Sequence, residues 1–352
     1  MDLYVLDSDF NQITIIDDYE SLIWAKRYHD FGDCELYVRA CEEYVRDLQK
    51  GHYLIRSDDD MICRIKSIDL ETNVEEGNFL VVVGADCRIV LSQRVVWNQT
   101  NYTGTVENYI RKLITDNLIN PSDSARAIDN FILDDPVGLT DRITEQVTFK
   151  PLDEKVIELC KAYDYGSKVT LNEDNQFVFS LYKGEDRSYN QEVNDHIVFS
   201  PEFDNIISSR FTSDDSTIKN VALVAGEGEG VDRKRLTYGT SSGLNRYELF
   251  VDAKDLSSQT EEGETIDYEA ALKARGIEAL AEYGTVISFE GAVEPNYSYK
   301  YGTDYNLGDI VQVMNEYGVE VSAKITEVIE TFDSEGRSII PTFQFQEVAI
   351  ND

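Results

Sequence analysis

The sequence has few of the residues that build disulfide frameworks, metal centres and export signals. It contains only three histidines, and its five cysteines include no CxxC pair, so neither a disulfide scaffold nor a zinc ribbon is expected. The opening residues, MDLYVLDSDF, are acidic where a signal peptide is basic, and no apolar run approaches the roughly 18 residues that span a bilayer. We therefore expect no signal peptide and no membrane span.

Positive charge is also scarce. The chain has 32 Lys and Arg against 67 Asp and Glu, which gives a net charge of −35. A field of that sign repels phosphate backbones, so no specific binding of nucleic acid is expected. Disordered acidic chains are poor in aromatic residues, whereas this chain has 21 Tyr and 15 Phe. The 352 residues therefore predict a folded multidomain protein with an acidic surface.

Short alternating apolar segments dominate the first ninety residues. They are DLYVLD, NQITIID, CELYVRA, HYLIRS, MICRIKSIDLE and NFLVVVGAD, and Asp, Asn or Gly bounds each one. Strands of this length and spacing are typical of a barrel or a sandwich. The pattern predicts a first β domain over residues 1–98.

Helical patterns mark two insertions into the strands. Thr105 caps a predicted helix that Pro121 ends, and PLDEKVIELCKAYDYG predicts a second helix with Gly166 just past its end. With the strands SKVTLNE and QFVFSLY, they predict an α+β domain over 99–195. Strands return over 196–352, interrupted at about 231–295 by an α+β segment with one helix. Gly276 lies inside that helix, and we expect a close crossing against a sheet there.

Three glycines at alternate positions in NVALVAGEGEGVDRKR raise the question of a phosphate-binding loop. Gly226, Gly228 and Gly230 are spaced too tightly for the dinucleotide fingerprint, and no helical pattern follows them. A P-loop requires Lys and then Ser or Thr after the last glycine, where this chain has Val231 and Asp232. We expect only a connection between two strands, which glycine permits because it adopts positive φ angles.

No other motif predicts a catalytic or metal site. The aspartates and Asn11 of DSDFNQ superficially match a calcium loop, but Gln12 stands in place of the required glycine, so we expect a hairpin turn. His29, Asp30, Asp33 and Cys34 are the densest group of possible ligands, and a turn before a strand explains them. No serine nucleophile elbow or HExxH helix is present. We expect no catalytic residue, no cofactor and no metal.

Three segments together resemble the siphophage tail hub family, the baseplate hub or tail-associated proteins at the distal end of a long-tailed phage tail. The first is YESLIWAKRYHDFGDCELYV, the second comprises NVALVAGEGEG and GLNRYELFVDAKDL, and the third is YNLGDIVQVMNEYGVEVSAKITEVIETFDSEG. The positions that carry this resemblance are Trp24, Arg27, Gly32, Asp33 and Glu35, then Gly226, Gly228, Arg246, Glu248 and Asp252, and finally Leu307, Gly308, Asp309 and Gly336.

The resemblance implies a mainly β fold with two β-barrel tail-hub domains and smaller α+β domains, assembled as a homotrimeric ring. Its implied partners are other copies of the chain, the distal tail protein, the tape-measure protein, and tip, fibre or receptor-binding proteins. The implied location is the virion tail tip, after synthesis in the bacterial host cytoplasm. Longer relatives carry a lytic or receptor-binding extension, and this chain is expected to lack one. None of the signature positions is implied to be catalytic.

Two alternative functions stay open at this point. A cell-wall-degrading peptidase or glycosidase would place carboxylates such as Asp30 and Asp33 in a cleft. A carbohydrate-binding tail module would present its tyrosines on one exposed platform, whereas a hub would bury them along strands.

Overall fold

The computed structural model describes residues 1–73, 77–259, 265–293, 299–318 and 320–347. The chain divides into two compact units, each built from separate stretches of sequence. Unit 1 comprises 1–89, 166–211 and 288–345, and unit 2 comprises 90–165, 212–287 and 346–352. The predicted division into domains 1–98, 99–195 and 196–352 stays a prediction.

The N-terminal strands follow the alternating segments of the sequence. They are β1 (Leu3–Leu6), β2 (Gln12–Ile16), β3 (Ser21–Arg27), β4 (Asp33–Arg39), β5 (Tyr53–Arg56), β6 (Ile62–Asn73) and β7 (Gly77–Asp86), with α1 (Glu42–Asp47) before β5. Six of these strands were predicted, and β3 is an addition. The hairpin predicted for DSDFNQ is confirmed, since β1 pairs antiparallel with β2 and the Asp7 carboxylate accepts hydrogen bonds from the backbone N–H groups of Asp9 and Asn11, both at 2.9 Å.

The middle of the chain alternates strands with helices. Its elements are β8 (Thr100–Thr105), α2 (Val106–Ile114), β9 (Phe131–Leu133), β10 (Arg142–Val147), α3 (Leu152–Tyr163), β11 (Gly166–Leu171), β12 (Phe177–Tyr182), β13 (Val198–Phe199) and β14 (Ile206–Asp214). The remaining elements are β15 (Val221–Ala225), β16 (Arg235–Tyr238), β17 (Glu248–Asp252), α4 (Tyr268–Ala281), β18 (Thr285–Val293), β19 (Ile310–Met314), β20 (Glu320–Asp333) and β21 (Gly336–Glu347).

The largest sheet has 13 strands and joins the two ends of the sequence. Its order is β14-β18-β21-β20-β3-β4-β7-β6-β5-β1-β2, and β19 pairs with β20 and with β13. The prediction of a mainly β fold is therefore confirmed. No closed barrel is found among the described residues, so the two barrels remain part of the proposal below.

Strand β20 changes its partner partway along its length. Residues 320–324 pair with β19, and residues 327–333 pair with β3. A bulge between Ile325 and Glu327 separates the two stretches, and the Tyr28 N–H donates to the Thr326 carbonyl there, at 2.9 Å. Bulges bend a strand and increase its twist. Strand β20 therefore pairs along one edge with both β19 and β3, which are about 300 residues apart in the sequence.

Unit 1 contains two separate hydrophobic cores. The first is formed by strands β1 to β7 and includes Trp24, with Phe332 from β20 packed into it. The second gathers Tyr28, Phe199 and Phe343 with apolar residues of β19 and β20. Each core contains residues from β20, so this strand is common to both.

In unit 2, the helices begin and pack as their sequence patterns predict. Thr105 caps α2 by accepting a hydrogen bond from the Asn108 N–H at 3.4 Å, and the apolar face from Val106 to Ile114 is fully buried. Gly276 of α4 packs against β15, where an added Cβ would lie 3.0 Å from a Val224 methyl. The close crossing predicted for Gly276 is thus confirmed.

The end of α3 differs from the prediction. Asp164, with φ 58°, adopts the left-handed conformation at the helix end, and Gly166 already begins β11. The usual residue at such a position is glycine, and an aspartate tolerates it because its short polar side chain bonds locally.

Among the described residues, no helix combines the length and apolar character that crossing a bilayer requires.

A fully buried ion pair joins β5 to β20 inside unit 1. The Arg56 guanidinium donates to both Glu330 oxygens, at 2.9 and 3.3 Å, and both side chains are at most 1% exposed. Arg56 also lies over the rings of Trp24 and Phe332, at 5.6 and 4.7 Å from their centroids. Removing one partner of such a pair leaves an uncompensated charge in the core.

The Arg56 guanidinium also pairs with the partly exposed Asp58 at 3.0 Å. We expect Glu330→Ala to destabilise unit 1 by about 3 kcal/mol, because the buried Arg56 would keep only Asp58 as its counter-charge. Urea unfolding monitored by tryptophan fluorescence measures the loss. The matched control is Glu335→Ala in the exposed turn of the same hairpin, which should change stability by less than about 0.5 kcal/mol. Equal effects of the two substitutions would contradict a stabilising role for the buried pair.

Candidate functional site

One cavity of unit 1 has a volume of about 400 Å³. It lies where the end of β3 meets β11, the segment after β12 and the loop before β19. Six basic and four acidic side chains line it, namely Lys26, Arg27, Arg88, Lys168, Lys183 and Arg187 with Asp60, Asp86, Glu185 and Asp309. Tyr182, Tyr301, Met61, Val169 and Leu307 supply its apolar surface.

Ion pairs within the chain neutralise most of the basic groups of this cavity. Lys26 pairs with Asp59 and Lys168 with Asp60, at 2.5 and 2.7 Å, and Arg88 pairs with Asp86 at 2.6 Å. In addition, Arg27 contacts Asp33 and Glu327, while Arg187 contacts Glu185 and Asp309. This network ties neighbouring strands and loops together, which gives the cavity a structural role.

The first group of signature positions lies on one hairpin, β3 and β4. Trp24 is fully buried, whereas Glu35 is exposed. Arg27 donates to Glu327 of β20 at 2.6 Å and to Asp33 at 3.0 Å. Gly32 is buried in the turn between the strands, where its N–H donates to Asp86 and an added Cβ would collide with the Ala25 carbonyl.

The third group lies mostly at the same cavity. Asp309 is 2% exposed, and its carboxylate accepts from the Glu185 N–H at 2.8 Å, the Asn306 N–H at 2.9 Å and Arg187 at 3.1 Å. Gly308 has φ 94°, and a Cβ there would meet the Tyr28 ring. Leu307 lines the cavity beside them. Arg27 from the first group therefore lines the same cavity as Leu307 and Asp309 from the third.

Gly336 is the exception in the third group. It begins β21 with φ 122°, directly after the two-residue turn that joins β20 to β21. Gly336 therefore completes the hairpin between these two strands. Gly336 is not among the residues that line the cavity.

The second group of signature positions lies in unit 2, on the sheet β16-β15-β17. Gly226 and Gly228 form the connection from β15 to β16, which pair antiparallel, and Gly228 has φ 98°. The strand connection predicted for the glycine stretch is confirmed. Arg233 closes this connection by donating to the Gly226 carbonyl at 2.8 Å and by pairing with Asp252.

The two other members of the second group, Arg246 and Glu248, bond to each other at 2.6 Å. The structure therefore brings the second group together on one sheet, separately from the other two groups. The importance of the 14 positions as a signature stays a prediction.

The carboxylates considered for a hydrolase do not line the cavity. Asp30 is exposed and accepts a hydrogen bond from the Phe31 N–H at 2.7 Å, and Asp33 pairs with Arg27. Among the described residues, no group of three or more His, Cys, Asp or Glu side chains is arranged to hold a metal ion. These residues shape a turn before β4.

Unit 2 also contains a buried charge cluster that the sequence reasoning missed. Lys155 of α3 donates to both oxygens of Glu278 of α4, at 2.7 and 2.8 Å, and its ammonium lies 3.5 Å from Glu145 of β10. All three side chains are at most 2% exposed. The Tyr109 hydroxyl, also buried, has no hydrogen-bond partner among the described residues.

The environment of Glu145 favours its neutral form. Burial and then the charge of Glu278 raise the pKa of Glu145 to about 8, against the lowering influence of Lys155 and Arg275. The sequence did carry a signal for this cluster. Glu145 occupies an inward position of β10 between the buried Ile143 and Val147, so the alternation alone could have marked a buried carboxylate.

We expect Glu145→Gln to stabilise the protein by about 2 kcal/mol at pH 9 and by much less at pH 5. The unfolded chain loses this proton near the ordinary pKa of 4.5, whereas the folded chain keeps it up to about pH 8. Between these two pH values Glu145 is ionised in the unfolded chain and protonated in the folded chain. The free energy of unfolding of the wild type therefore falls progressively as pH rises from about 4.5 to about 8. Urea unfolding of both proteins at several pH values measures the difference.

The control for this experiment is Glu154→Gln on the exposed side of α3, which should leave the pH dependence of unfolding unchanged. A gain for Glu145→Gln that is the same at pH 5 and pH 9 would show that Glu145 is already charged in the folded state at pH 5. That result would contradict the raised pKa.

The fold matches solved tail proteins along almost the whole chain. The tail protein from Neisseria meningitidis MC58 has a TM-score of 0.62 at 14% identity over 98% of this chain and 97% of that chain. The 43 kDa tail protein of prophage MuSo2 from Shewanella oneidensis has a TM-score of 0.59 at 13% identity over 97% and 98%. For prophage tail protein gp18 from Listeria monocytogenes EGD-e, the TM-score is 0.54 at 13% identity over 97% and 94%.

At such low identities these matches establish a common fold. No curated protein matches the sequence. The family model described as Siphovirus ReqiPepy6 Gp37-like protein matches residues 2–343, which is nearly the entire chain. The resemblance to siphophage tail proteins inferred from the three sequence segments is thereby confirmed, and the chain belongs to the Siphovirus ReqiPepy6 Gp37-like family.

Proposed function

We propose that the protein is the hub of a phage tail tip, a homotrimeric ring that continues or closes the distal tail tube. In this role it connects the distal tail protein and the tape-measure protein to tip, fibre or receptor-binding proteins, and DNA passes through it during infection. The observation that best supports this function is the pair of hydrophobic cores in unit 1 that share β20. If each core marks one tube-forming half of the subunit, a trimer contains six tube-forming elements.

The strand arrangement supports two barrel-like halves within each subunit. The first half comprises β1 to β7, and the second uses β13, β19, β21 and the first part of β20. Bulges in β6–β7 and β20–β21 are the devices by which sheets bend. In the proposed division, residues 1–98 and 196–352 are the hub domains, and 99–195 and about 231–295 are insertions.

The strong acidity also fits a hub. We propose that part of the net charge of −35 faces the channel of the ring. A negative wall lets DNA slide past, whereas a basic wall would hold it through counterion release. The location follows from this role: the protein is made in the host cytoplasm and incorporated into the virion tail tip.

The described geometry favours a structural role over the two alternatives. A hydrolase needs a carboxylate free to act on a substrate in a cleft, but the cavity carboxylates Asp60, Asp86 and Asp309 are paired with Lys168, Arg88 and Arg187. A sugar-binding module needs exposed aromatic rings on one surface. The Phe199 ring instead packs inside the core, edge-on against Tyr299 and Tyr305 and tilted against Phe343. We therefore propose a non-enzymatic protein.

We expect the purified chain to associate into a species near three times 40.1 kDa, because a closed ring satisfies the same interface on every subunit. Native mass spectrometry and light scattering across a concentration series measure this mass. Electron microscopy of that species should show a ring with an acidic central channel.

The protein's peptidoglycan-clearing activity is measured in parallel, with lysozyme as the positive control. A monomer at every concentration together with clearance of peptidoglycan would contradict the hub and support a tail enzyme. A trimeric ring whose channel is neutral or basic would leave the hub in place and overturn the proposed role of the acidic charge.

A further inference from the structure

In the sheet β16-β15-β17 of unit 2, α4 covers one face, and the opposite face is exposed around the middle of β15. Ala222 and Val224 of β15 point towards α4 and belong to the apolar core of the unit. The intervening residue, Leu223, points the other way and is 38% exposed. In register beside it, Phe250 of β17 is 59% exposed.

The exposed face combines these apolar side chains with charged neighbours. It comprises Leu223, Arg233, Arg235, Thr237, Glu248, Phe250 and Asp252, and we call it the outer sheet face. The Arg233 guanidinium lies 5.8 Å from the Phe250 ring centroid and pairs with Asp252. The loops at the two ends of the strands add Val231 and Leu244, which are 89% and 97% exposed. An apolar centre with a charged rim is the composition of protein interfaces.

The charge balance around the outer sheet face differs from that of the rest of the chain. Residues 219–254 contain six basic and five acidic residues, whereas the rest of the chain contains 26 basic and 62 acidic residues. Arg233, Lys234 and Arg235 are consecutive there. The outer sheet face is therefore a region without excess negative charge on a strongly acidic molecule.

We propose that the outer sheet face docks onto the acidic surface of a second copy of this chain. The inference rests on the proposed homotrimer and names one surface that holds it together. Two copies repel each other wherever their acidic surfaces meet, and the repulsion is least where a balanced surface meets an acidic one. Because the two contacting surfaces differ, the contact is of the head-to-tail kind that closes into a ring.

The roles of individual residues follow from their positions. Phe250 and Leu223 supply the apolar area that is removed from water, and aromatic and arginine side chains dominate the energy of such contacts. Arg235 supplies the attraction for carboxylates of the neighbouring copy. Nucleic acid is a poor occupant of this face, because the rest of the chain repels phosphate.

The test measures self-association of the full chain and of three variants by native mass and light scattering. We expect Phe250→Asp and Arg235→Glu to weaken association at least tenfold, because each places a negative charge where an acidic partner docks. The matched control is Phe149→Asp, which changes a 78% exposed phenylalanine outside the outer sheet face and outside the proposed hub domains, and which should associate like the wild type. Urea unfolding establishes that all three variants fold.

A photo-crosslinker at position 250 adds a direct readout. We expect illumination to join two copies covalently, with the second attachment point in an acidic surface segment. If the wild type and Phe250→Asp form trimers equally well, the outer sheet face is not the contact between copies, and the proposed homotrimeric hub is retained. If the wild type is a monomer and position 250 captures no second copy, the docking surface and the trimer are both wrong. Capture of a different tail protein instead of a second copy would also overturn the inference.

Discussion

The pairing of β3 with the second half of β20 is the constraint on which unit 1 depends. Seven register pairs from Ser21–Asp333 to Arg27–Glu327 join the N-terminal strands to the C-terminal hairpin in one sheet. The Arg27–Glu327 pair stabilises one end of this junction, and the buried Arg56–Glu330 pair stabilises its middle. Without this junction, the first core would lose Phe332 and the cavity would lose one of its walls.

Local patterns in the sequence predicted the elements of this fold well, and the assembly of those elements less well. Alternation and capping residues such as Thr105 act over a few positions, so strands and helices could be read directly. Asp164 could not be predicted as the end of α3, because glycine is the usual residue in that conformation and Gly166 lies only two positions further on. The partner exchange of β20 could not be predicted either, since nothing local in the sequence identifies a partner 300 residues away.

The charged residues of the site show the same limit. Abundant carboxylates concealed the few that are buried, although Glu145 and Glu330 both occupy inward positions of alternating strands. The sequence placed Arg27, Leu307 and Asp309 in separate segments, and only the fold brings them to one cavity. Buried charges in this protein hold elements together, whereas the balanced charges of the outer sheet face are accessible to a partner.

The shared strand also has a consequence for how the chain folds during synthesis. The edge of β3 stays unpaired until residues 327–333 have left the ribosome, because β20 is its partner there. An open edge of this kind is a template for pairing with other chains, and contacts of such long sequence separation form slowly. Unit 1 therefore cannot be completed before residues 327–333 have been synthesised, and a shorter nascent chain exposes an edge that is prone to aggregation.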